Sequence, residues 1–362
     1  MKYLGNLLIA PVLLLNILFV LLVLLVAYSP YVQPVEHPVW SCVGLTFPVF
    51  LLINVGFLVF WLILQRYKSA LVPLIGLLLC SGQIRTYFPI NFQTDELPAD
   101  GIKVLSYNIM GFAGCLKEKG ENPILNYLKE SGADIICLQE YGVHHSAKYL
   151  TQKDVDRALK AYPYHYISRT GQKTQLACYS KYPILSVHPI KYVSDRNQSY
   201  TYELQVDKDT LLLINNHLES NKLTKADKIV YEEMIASPEQ QKVKSGVRQL
   251  VKKLAEASAI RAPQADSVAR VVEKSRHRYI VVCGDFNDTP ISYAHRVIGQ
   301  ELKDAFVSAG CGPGISYNQN KFYFRIDHIL TGKNLQAYNC MVDRSIKTSD
   351  HYPISCYLVK RE

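Results

Sequence analysis

The sequence predicts an α/β domain that follows a membrane-spanning helical region. Three observations support this prediction. The chain is almost uncharged and apolar up to about Ile84, whereas short β-branched runs typical of buried strands recur after Gly101. Between those runs lie amphipathic segments with the spacing of helices. The chain has 362 residues, so the part after Gly101 is long enough to bury a large core.

Three apolar runs are candidates for transmembrane helices, at residues 7–28, 40–64 and 69–84. The first two are long enough to cross about 30 Å of hydrocarbon, and the third is shorter and contains one proline and two glycines. We therefore predict a transmembrane region over residues 1–88 with two or three helices. A polar linker over residues 89–100 then leads into a soluble domain at residues 101–362.

Positive charges indicate the orientation of these helices. Lys2 precedes the first run, residues 29–39 contain no Lys or Arg, and Arg66 and Lys68 follow the second run. The positive-inside rule places the N-terminus and the Arg66/Lys68 turn in the cytoplasm. Two helices would leave the domain inside and three would place it outside. We favour three, because the third run has almost the minimum length and ends near interfacial aromatics such as Tyr87. We thus expect an integral protein of the cytoplasmic membrane with its domain on the non-cytoplasmic side.

The net charge of +9 lies entirely after residue 100, where 36 Lys/Arg oppose 27 Asp/Glu. More than half of it comes from residues 219–278, a predicted basic helical segment with 13 Lys/Arg and 8 Asp/Glu. Within it, Arg261–Gln264 is expected to begin a helix at Pro263. This charge balance favours anionic partners, namely nucleic acid, phospholipid headgroups or phosphorylated small molecules. A solvated basic face and a membrane-facing surface that recruits substrate both remain open. No protein partner is inferred.

The nine cysteines are scattered, with no C-x-x-C pair and no zinc-like spacing. Cys137 and Cys283 fall in predicted buried strands, where cysteine behaves as a small hydrophobic residue. The pattern argues against a disulfide framework, although it does not exclude a single bridge.

Polar residues stand where the predicted strands end. In residues 279–285 the apolar run stops at Gly284, and Asp285 and Asn287 follow one residue apart. Side chains two apart on an extended chain point the same way, so an acidic and an amide group emerge together. Five further apolar segments carry Asn, Asp, Glu or His where the run stops or is interrupted, at residues 102–108, 134–140, 211–218, 325–330 and 349–354.

As a set, these motifs resemble the endonuclease/exonuclease/phosphatase superfamily from about Gly101 to the end of the chain. The resemblance implies a four-layer α/β sandwich, in which two packed mixed β-sheets are flanked by helices. It also implies hydrolysis of a phosphoester by in-line attack of water, dependent on Mg²⁺ with Mn²⁺ as an alternative. Because hard cations take oxygen ligands, a carboxylate that ends an apolar strand suits such a site.

The resemblance assigns the metal and the attacking water to five residues. Glu140, Asn108 and Asp350 would hold the metal. Asp285 would orient or deprotonate the water, and Asn287 would fix its position and bind phosphate.

The resemblance assigns the substrate to five more residues. His351, paired with Asp327, and His217 would donate hydrogen bonds to the phosphate oxygens. His351 and Asp285 both remain candidates for the general base. Asn216 and Arg325 are the expected substrate-binding residues.

Together these observations favour a membrane-anchored, Mg²⁺-dependent phosphodiesterase of the nuclease-like type. Two alternatives remain. One is a lipid or inositol-phosphate phosphoesterase resembling the sphingomyelinases, and the other is a non-catalytic, membrane-tethered binding module of the same fold. Fold does not choose between the substrates, since one fold supports many functions.

Overall fold

The computed structural model describes residues 2–117, 121–168, 174–194, 196–236, 240–319 and 322–361. An N-terminal bundle of apolar helices packs against a two-sheet α/β sandwich. The sandwich confirms the predicted fold class. All nine cysteines are free, in agreement with the absence of a disulfide framework.

The described N-terminal part consists of helices joined by loops. Its helices are α1 (Lys2–Ala27), α2 (Pro38–Ser41), α3 (Phe47–Ile63), α4 (Tyr67–Leu79) and α5 (Ser81–Tyr87). A proline stands in the first turn of both α2 and α3, where its missing N–H has no helical partner to lose. Two stretches, Ile9–Ala27 and Pro38–Ile63, are long and apolar enough to cross a membrane. Helices α4 and α5 would provide a third span only as a pair, because they are bent by 62° at their junction.

Fourteen strands follow among the described residues, most of them where the sequence places apolar runs. They are β1 (Ile102–Asn108), β2 (Ile135–Tyr141), β3 (Tyr164–Ile167), β4 (Gln175–Ser180), β5 (Ile184–Pro189), β6 (Gln198–Val206), β7 (Asp209–His217), β8 (Tyr279–Asp285), β9 (Lys303–Asp304), β10 (Tyr317–Gln319), β11 (Phe322–Phe324), β12 (Asp327–Thr331), β13 (Leu335–Val342) and β14 (Ile354–Lys360). The segment before β14 corrects one expectation. Residues 349–353, with the Ser-Asp-His motif, form a loop that precedes the strand, because Pro353 cannot donate to the ladder.

Helices cover both outer faces of the sandwich. The helices of the domain are α6 (Met110–Cys115), α7 (Pro123–Glu130), α8 (Gln152–Ala158), α9 (Lys225–Ala236), α10 (Gln240–Lys274), α11 (Tyr293–Ile298) and α12 (Ala305–Ala309). Of these, α12 packs with Ala305 and Phe306 into the apolar cluster between the sheets. The short α6 has left-handed backbone angles at four successive residues, so it is a tight turn and not a regular helix.

The prediction of a helix start at Arg261–Gln264 is wrong, since Pro263 lies inside the continuous 35-residue helix α10. Pro263 is exposed, whereas Ala262, Ala265 and Val268 are buried. The hydrogen bond that proline removes is therefore lost on the solvent side. The buried face continues to pack against the sheet, and this packing carries the helix through.

The two sheets each have six strands, in the orders β13-β14-β1-β2-β4-β3 and β5-β6-β7-β8-β12-β9. Each contains one parallel pair, β1 with β2 and β7 with β8, among antiparallel neighbours. Alternate residues of the strands face alternate layers. Val104, Cys137 and Val281 pack between the sheets, while their neighbours Leu105 and Val282 pack under outer helices. The arrangement therefore has four layers, helix, sheet, sheet and helix.

The helical bundle is seated directly on the sandwich. Ile291 of the sandwich lies in one apolar cluster with Val23, Phe47 and Tyr87 of the bundle. Arg296 of α11 donates from Nε to the Pro30 carbonyl oxygen at 2.8 Å. The loop between α1 and α3 and the sandwich domain consequently share one side of the bundle.

Candidate active site

Strand register places three of the expected residues in one row across the second sheet. His217 of β7 is paired with Asp285 of β8, and Asp285 is paired with Asp327 of β12. By strand alternation they share the face of Val281, which lies between the sheets. Asn108, at the end of β1 in the other sheet, donates from Nδ2 to Asp285 Oδ2 at 3.0 Å. The site therefore lies at the open edge of the space between the two sheets.

The loop before β14 adds His351 to this row. Its Nδ1 lies 2.8 Å from Asp327 Oδ2, and its Nε2 lies 3.7 Å from Asp285 Oδ2. Burial alone would lower the pKa of His351, but the charges of Asp327 and Asp285 outweigh it and raise the pKa to about 10. Burial raises the pKa of the Asp285 carboxyl, opposed mainly by His351. At neutral pH, His351 is thus an imidazolium held between two carboxyl groups.

Glu140 reaches the row because its backbone departs from the strand. In a regular strand it would share the outer face with Leu138. Instead its φ is +52°, and the pairing of β2 with β4 shifts register between Leu138 and Tyr141. Glu140 Oε1 consequently lies 3.7 Å from His217 Nε2. A left-handed glutamate is strained, and such strain is concentrated at functional sites.

His217 lies between two carboxylates. Its Nε2 is 3.7 Å from both Glu140 Oε1 and Asp285 Oδ2, and within the described part of the chain it has no hydrogen-bond partner. The Nε2 atoms of His217 and His351 therefore both lie 3.7 Å from the same oxygen of Asp285. Two ring nitrogens directed at one place can hold one anionic oxygen.

A backbone hydrogen bond and the close packing of the neighbouring backbone hold Asp285 in position. Asp285 Oδ1 accepts from the Asn287 backbone N–H at 2.8 Å, and Asn287 has a φ of +53°. The side chain of Asn287 donates from Nδ2 to the Leu218 carbonyl oxygen at 3.0 Å, which ties β8 to the loop after β7. Gly284 has a φ of +133°, and a Cβ there would lie 2.0 Å from the Asn216 carbonyl oxygen. Only glycine fits at this position.

Asp350 and Tyr317 complete the rim of the site. The Tyr317 ring lies edge-on to His351, with 5.1 Å between ring centroids. Burial raises the pKa of the Tyr317 hydroxyl, and the nearby charges of Asp350, Asp285 and Glu140 raise it further. Tyr317 therefore lies near the expected metal ligands Asp350 and Glu140, and near Asp285, which is expected to orient the attacking water. Sequence reasoning missed it, because nothing marks it among the 25 tyrosines of the chain.

Sequence reasoning also missed the side chains that support the site from below. Arg261 of α10 donates to the Glu219 carbonyl oxygen at 2.9 Å and to Asp288 and Asn221 at 2.7 Å each. The Glu219 backbone N–H donates to Gln264 at 2.8 Å. These bonds join the loops that follow His217 and Asn287. The Arg-x-x-Gln spacing of Arg261 and Gln264 resembles a motif of the family in the helix before β8, but the sequence does not show that these side chains tie the two loops together.

Asn216 does not join the expected substrate-binding group. It lies between Asn215 and His217 on β7, so its side chain is on the opposite face, with Ile214 and Leu212. Its amide nitrogen and oxygen are buried and have no hydrogen-bond partner among the described residues. Asn215 faces the inside instead, where its Oδ1 accepts from Gln139 at 2.7 Å. A substrate-binding role for Asn216 is therefore not supported.

Arg325 is also outside the site, contrary to expectation. It is buried in a second polar cluster, where it donates to the Thr86 carbonyl oxygen and lies 3.9 Å from Asp304. Asp304 in turn contacts His295 at 2.9 Å, and the rings of His295 and His328 are 4.7 Å apart. Because β12 begins only at Asp327, Arg325 precedes the strand and turns toward the helical bundle. Its role is to join the two parts of the chain.

Comparison with known proteins identifies the family to which this fold belongs. Residues 105–351 match the family described as "Endonuclease/Exonuclease/phosphatase family". The chain belongs to the endonuclease/exonuclease/phosphatase family. Members of this family are phosphoester hydrolases, generally dependent on a divalent metal. Residues 7–87 match a second family, described as a domain of unknown function (DUF8431). No curated protein matches the chain.

Solved structures show the same family fold. The human Nocturnin catalytic domain with bound sulfate is 15% identical, with a TM-score of 0.51, and the match covers 75% of this chain and 96% of that chain. An endonuclease/exonuclease/phosphatase family protein from Bacteroides thetaiotaomicron is 15% identical, with a TM-score of 0.50 and coverage of 72% and 98%. At this identity the likeness concerns the fold alone.

The residues present suit the divalent metal of the family. Glu140 has 33% of its side chain exposed, and its described contact is His217 at 3.7 Å, so carboxylate oxygens remain free for a cation and its waters. Asp350 is held close to Asn108 by its sequence neighbour Ser349, because Ser349 Oγ donates to the Asn108 carbonyl oxygen at 2.7 Å. A closer group of potential ligands comprises Asp285, Asp327 and His351. It is a buried hydrogen-bonded chain, which suits proton handling better than a hydrated Mg²⁺.

Proposed function

We propose that the chain is a membrane-anchored phosphodiesterase that depends on Mg²⁺ or Mn²⁺. The observation that carries this proposal is the row of His217, Asp285 and Asp327, joined by His351 and faced by Glu140. A carboxylate for a metal, a buried carboxylate for water and two imidazole donors for phosphate thereby meet at one edge of the sandwich. This constellation suits in-line hydrolysis of a phosphoester.

Glu140, Asn108 and Asp350 are the proposed metal ligands. When bound, Mg²⁺ neutralises charge on the phosphoryl oxygens and on the leaving oxygen. The exposed position of Glu140 leaves room for the waters that Mg²⁺ retains. Tyr317, beside these carboxylates, would close one wall of the site and limit the angle at which substrate enters.

Asp285 is the proposed general base. Its Oδ1 and Oδ2 are held by Asn287 and Asn108, so one orientation of the carboxylate is fixed. Burial raises its pKa above the ordinary range of an aspartate, which strengthens it as a base. It would take a proton from the attacking water as the new P–O bond forms and the bond to the leaving oxygen breaks.

His351 and His217 are the proposed electrophilic groups. As an imidazolium, His351 donates a hydrogen bond from Nε2 and cannot accept a proton, so it is unsuited to be the base. Asp327 fixes its ring and sustains its charge. Both Nε2 atoms lie 3.7 Å from Oδ2 of the proposed base, from where they would donate to the non-bridging oxygens as charge grows there, and donors fixed in advance stabilise that charge.

Substitution of Asp285 tests this function. Asp285→Asn keeps the size of the side chain but offers one accepting oxygen to the two donors Asn108 Nδ2 and the Asn287 N–H, and it cannot accept the proton, so hydrolysis of bis-p-nitrophenyl phosphate should fall at least about 100-fold. Single-stranded DNA, sphingomyelin and inositol phosphates complete the substrate panel. Glu301→Gln, on the surface, is the control. Equal activity of the wild type and Asp285→Asn would rule out the proposed base.

We further propose three membrane crossings, with the domain on the non-cytoplasmic side. The loop between α1 and α3 contacts the domain through Pro30 and Arg296, so both lie on one side of the membrane. After α3 crosses, the chain must return, and only the bent α4–α5 pair can return it. Arg66 and Lys68 then lie on the opposite side, which the positive-inside rule makes cytoplasmic.

Thiol labelling in spheroplasts of a bacterial host tests this topology. Cys311 is the exposed native thiol of the domain, and Lys68 is exposed in the first turn of α4. A membrane-impermeant maleimide should label Cys311 in intact spheroplasts. A Lys68→Cys variant in a Cys311→Ser background should react only after permeabilisation. Labelling of both positions from the same side would contradict three crossings.

A further inference from the structure

The candidate active site is anchored at a short distance from the ends of the apolar helices. Ile291 follows Asn287 by four residues, so their Cα atoms are at most about 14 Å apart. Ile291 is buried among Val23, Phe47 and Tyr87, near the ends of α1, α3 and α5. The polar headgroup layer adds roughly 5–8 Å to each side of the hydrocarbon core. With the three crossings proposed above, the site would consequently be held at, or just above, the height of lipid headgroups.

The linker does not raise the domain away from this position. Asn91 donates to the Gly310 and Val307 carbonyl oxygens at 2.7 and 3.1 Å. Thr94 exchanges two hydrogen bonds with Asn339, at 2.8 and 2.9 Å. The composition predicts a polar linker over residues 89–100, but Asn91 and Thr94 are hydrogen-bonded to the sandwich. The domain therefore keeps one orientation relative to the helices.

The surface beside this contact is suited to a bilayer. Tyr31, Val35 and Val39 are exposed in the loop between α1 and α3, and 55% of the Trp40 surface is exposed. Aromatic residues such as tryptophan and tyrosine are typical of the membrane interface. These side chains lie in the part of the bundle that touches the domain.

Basic residues extend from the same contact. Ser41 of α2 lies 3.0 Å from Ser258 of α10, Oγ to Oγ. The half of α10 that precedes Ser258 exposes Lys244, Arg248 and Lys252. Basic side chains at a membrane surface attract anionic lipid headgroups.

We infer that the substrate is a phosphoester carried by a membrane lipid, hydrolysed at the headgroup while the lipid stays in the bilayer. This inference rests on the proposed phosphodiesterase function. The hydrolysed group is the same in a soluble phosphodiester, but a site fixed at headgroup height meets lipids by lateral diffusion and at high local density. Soluble nucleic acid would have to approach the bilayer surface to reach it.

The test uses the full chain, reconstituted in vesicles of phosphatidylcholine with phosphatidylglycerol, sphingomyelin and phosphatidylinositol. Release of headgroup phosphate is compared with hydrolysis of monomeric dibutanoyl phosphatidylcholine, single-stranded DNA and bis-p-nitrophenyl phosphate at equal phosphodiester concentration. At least one vesicle lipid should be hydrolysed tenfold faster than the monomeric lipid and the DNA. If bis-p-nitrophenyl phosphate is hydrolysed but no vesicle lipid exceeds the soluble substrates, the inference is overturned and the proposed function stands. If nothing is hydrolysed, the proposed function itself fails.

Two variants test the height of the site separately from its chemistry. Arg296→Ala removes the bond to Pro30 and the contact with the Tyr31 ring, 4.9 Å from the guanidinium carbon to the ring centroid. It should lower hydrolysis of vesicle lipid several-fold and leave bis-p-nitrophenyl phosphate hydrolysis unchanged. Arg270→Ala, an exposed arginine of α10, should change neither rate. Ile291→Asn gives a second disruption of the contact. Equal losses on both substrates in both contact variants would overturn the inference.

Discussion

At the scale of single residues, the protonation of His351 is set by the carboxylates around it. Asp327 lies 2.8 Å from Nδ1 and Asp285 lies 3.7 Å from Nε2. Burial disfavours the imidazolium, but these two charges dominate and raise the pKa to about 10. A histidine with this environment is a hydrogen-bond donor at physiological pH, and for this reason we propose the buried Asp285 as the base.

Substitution of Asp327 should therefore lower the pKa of His351. In the wild type, the stabilising effect of the raised pKa is fully present below about pH 6.5 and is lost as the pH rises through about 10. In Asp327→Asn the strongest raising charge is gone, so this loss and the alkaline limb of the rate profile should both move to lower pH. NMR titration of His351 and pH–rate profiles measure the shift. An unchanged alkaline limb would show that Asp327 does not control this histidine.

The sequence identifies most site residues by type and position, but not the directions of their side chains. Asn216 and His217 are adjacent in a polar strand end, and only strand alternation in the folded sheet separates them onto opposite faces. Arg325 adjoins a site motif, yet its partners Thr86 and Asp304 are distant in sequence. Contacts of that kind depend on tertiary packing and leave no local pattern.

At the scale of elements, irregularities in two strands make the site possible. The left-handed Glu140 and the register shift of β2 turn a side chain inward that a regular strand would direct outward. Gly284 lets β8 pass against the Asn216 carbonyl oxygen. The apolar runs predict both strands from sequence. The break at Glu140 is not predictable in this way, because periodicity describes only the regular part of a strand.

Gly284→Ala should be strongly destabilising. Its Cβ would lie 2.0 Å from the Asn216 carbonyl oxygen, and φ is +133°, so strain and steric overlap together should cost roughly 2–6 kcal/mol. Gly132→Ala is the matched control, since Gly132 also has positive φ but nothing within 4 Å of the added Cβ. It should cost about 1 kcal/mol. Thermal unfolding of the full chain in detergent compares the two, and equal losses would contradict the close approach at Gly284.

At the scale of the whole molecule, the sandwich brings together residues from both ends of the domain. Asn108 and Asp285 are 177 positions apart in sequence but share a hydrogen bond of 3.0 Å. The repeated pattern of apolar strands ending in polar residues, with the family resemblance that it carries, predicts this convergence, since two sheets packed face to face bring the strand ends of both to one edge of the sandwich. The seating of the helical bundle beside the site is not predictable, because it depends on surface contacts such as Arg296 with Pro30. We propose that this convergence forms a divalent-metal site for phosphoester hydrolysis.

The most direct test measures bis-p-nitrophenyl phosphate hydrolysis against Mg²⁺ concentration for the wild type and Glu140→Gln, with Glu301→Gln as control. The wild type should lose activity in a chelator and recover it with Mg²⁺. Substitution of residues that only hydrogen-bond to metal ligands typically weakens metal affinity about 10–100-fold. Glu140→Gln changes a proposed ligand itself, so this variant should need at least about 100-fold more Mg²⁺. Hydrolysis that persists in the chelator, or the same Mg²⁺ dependence in both proteins, would contradict the account.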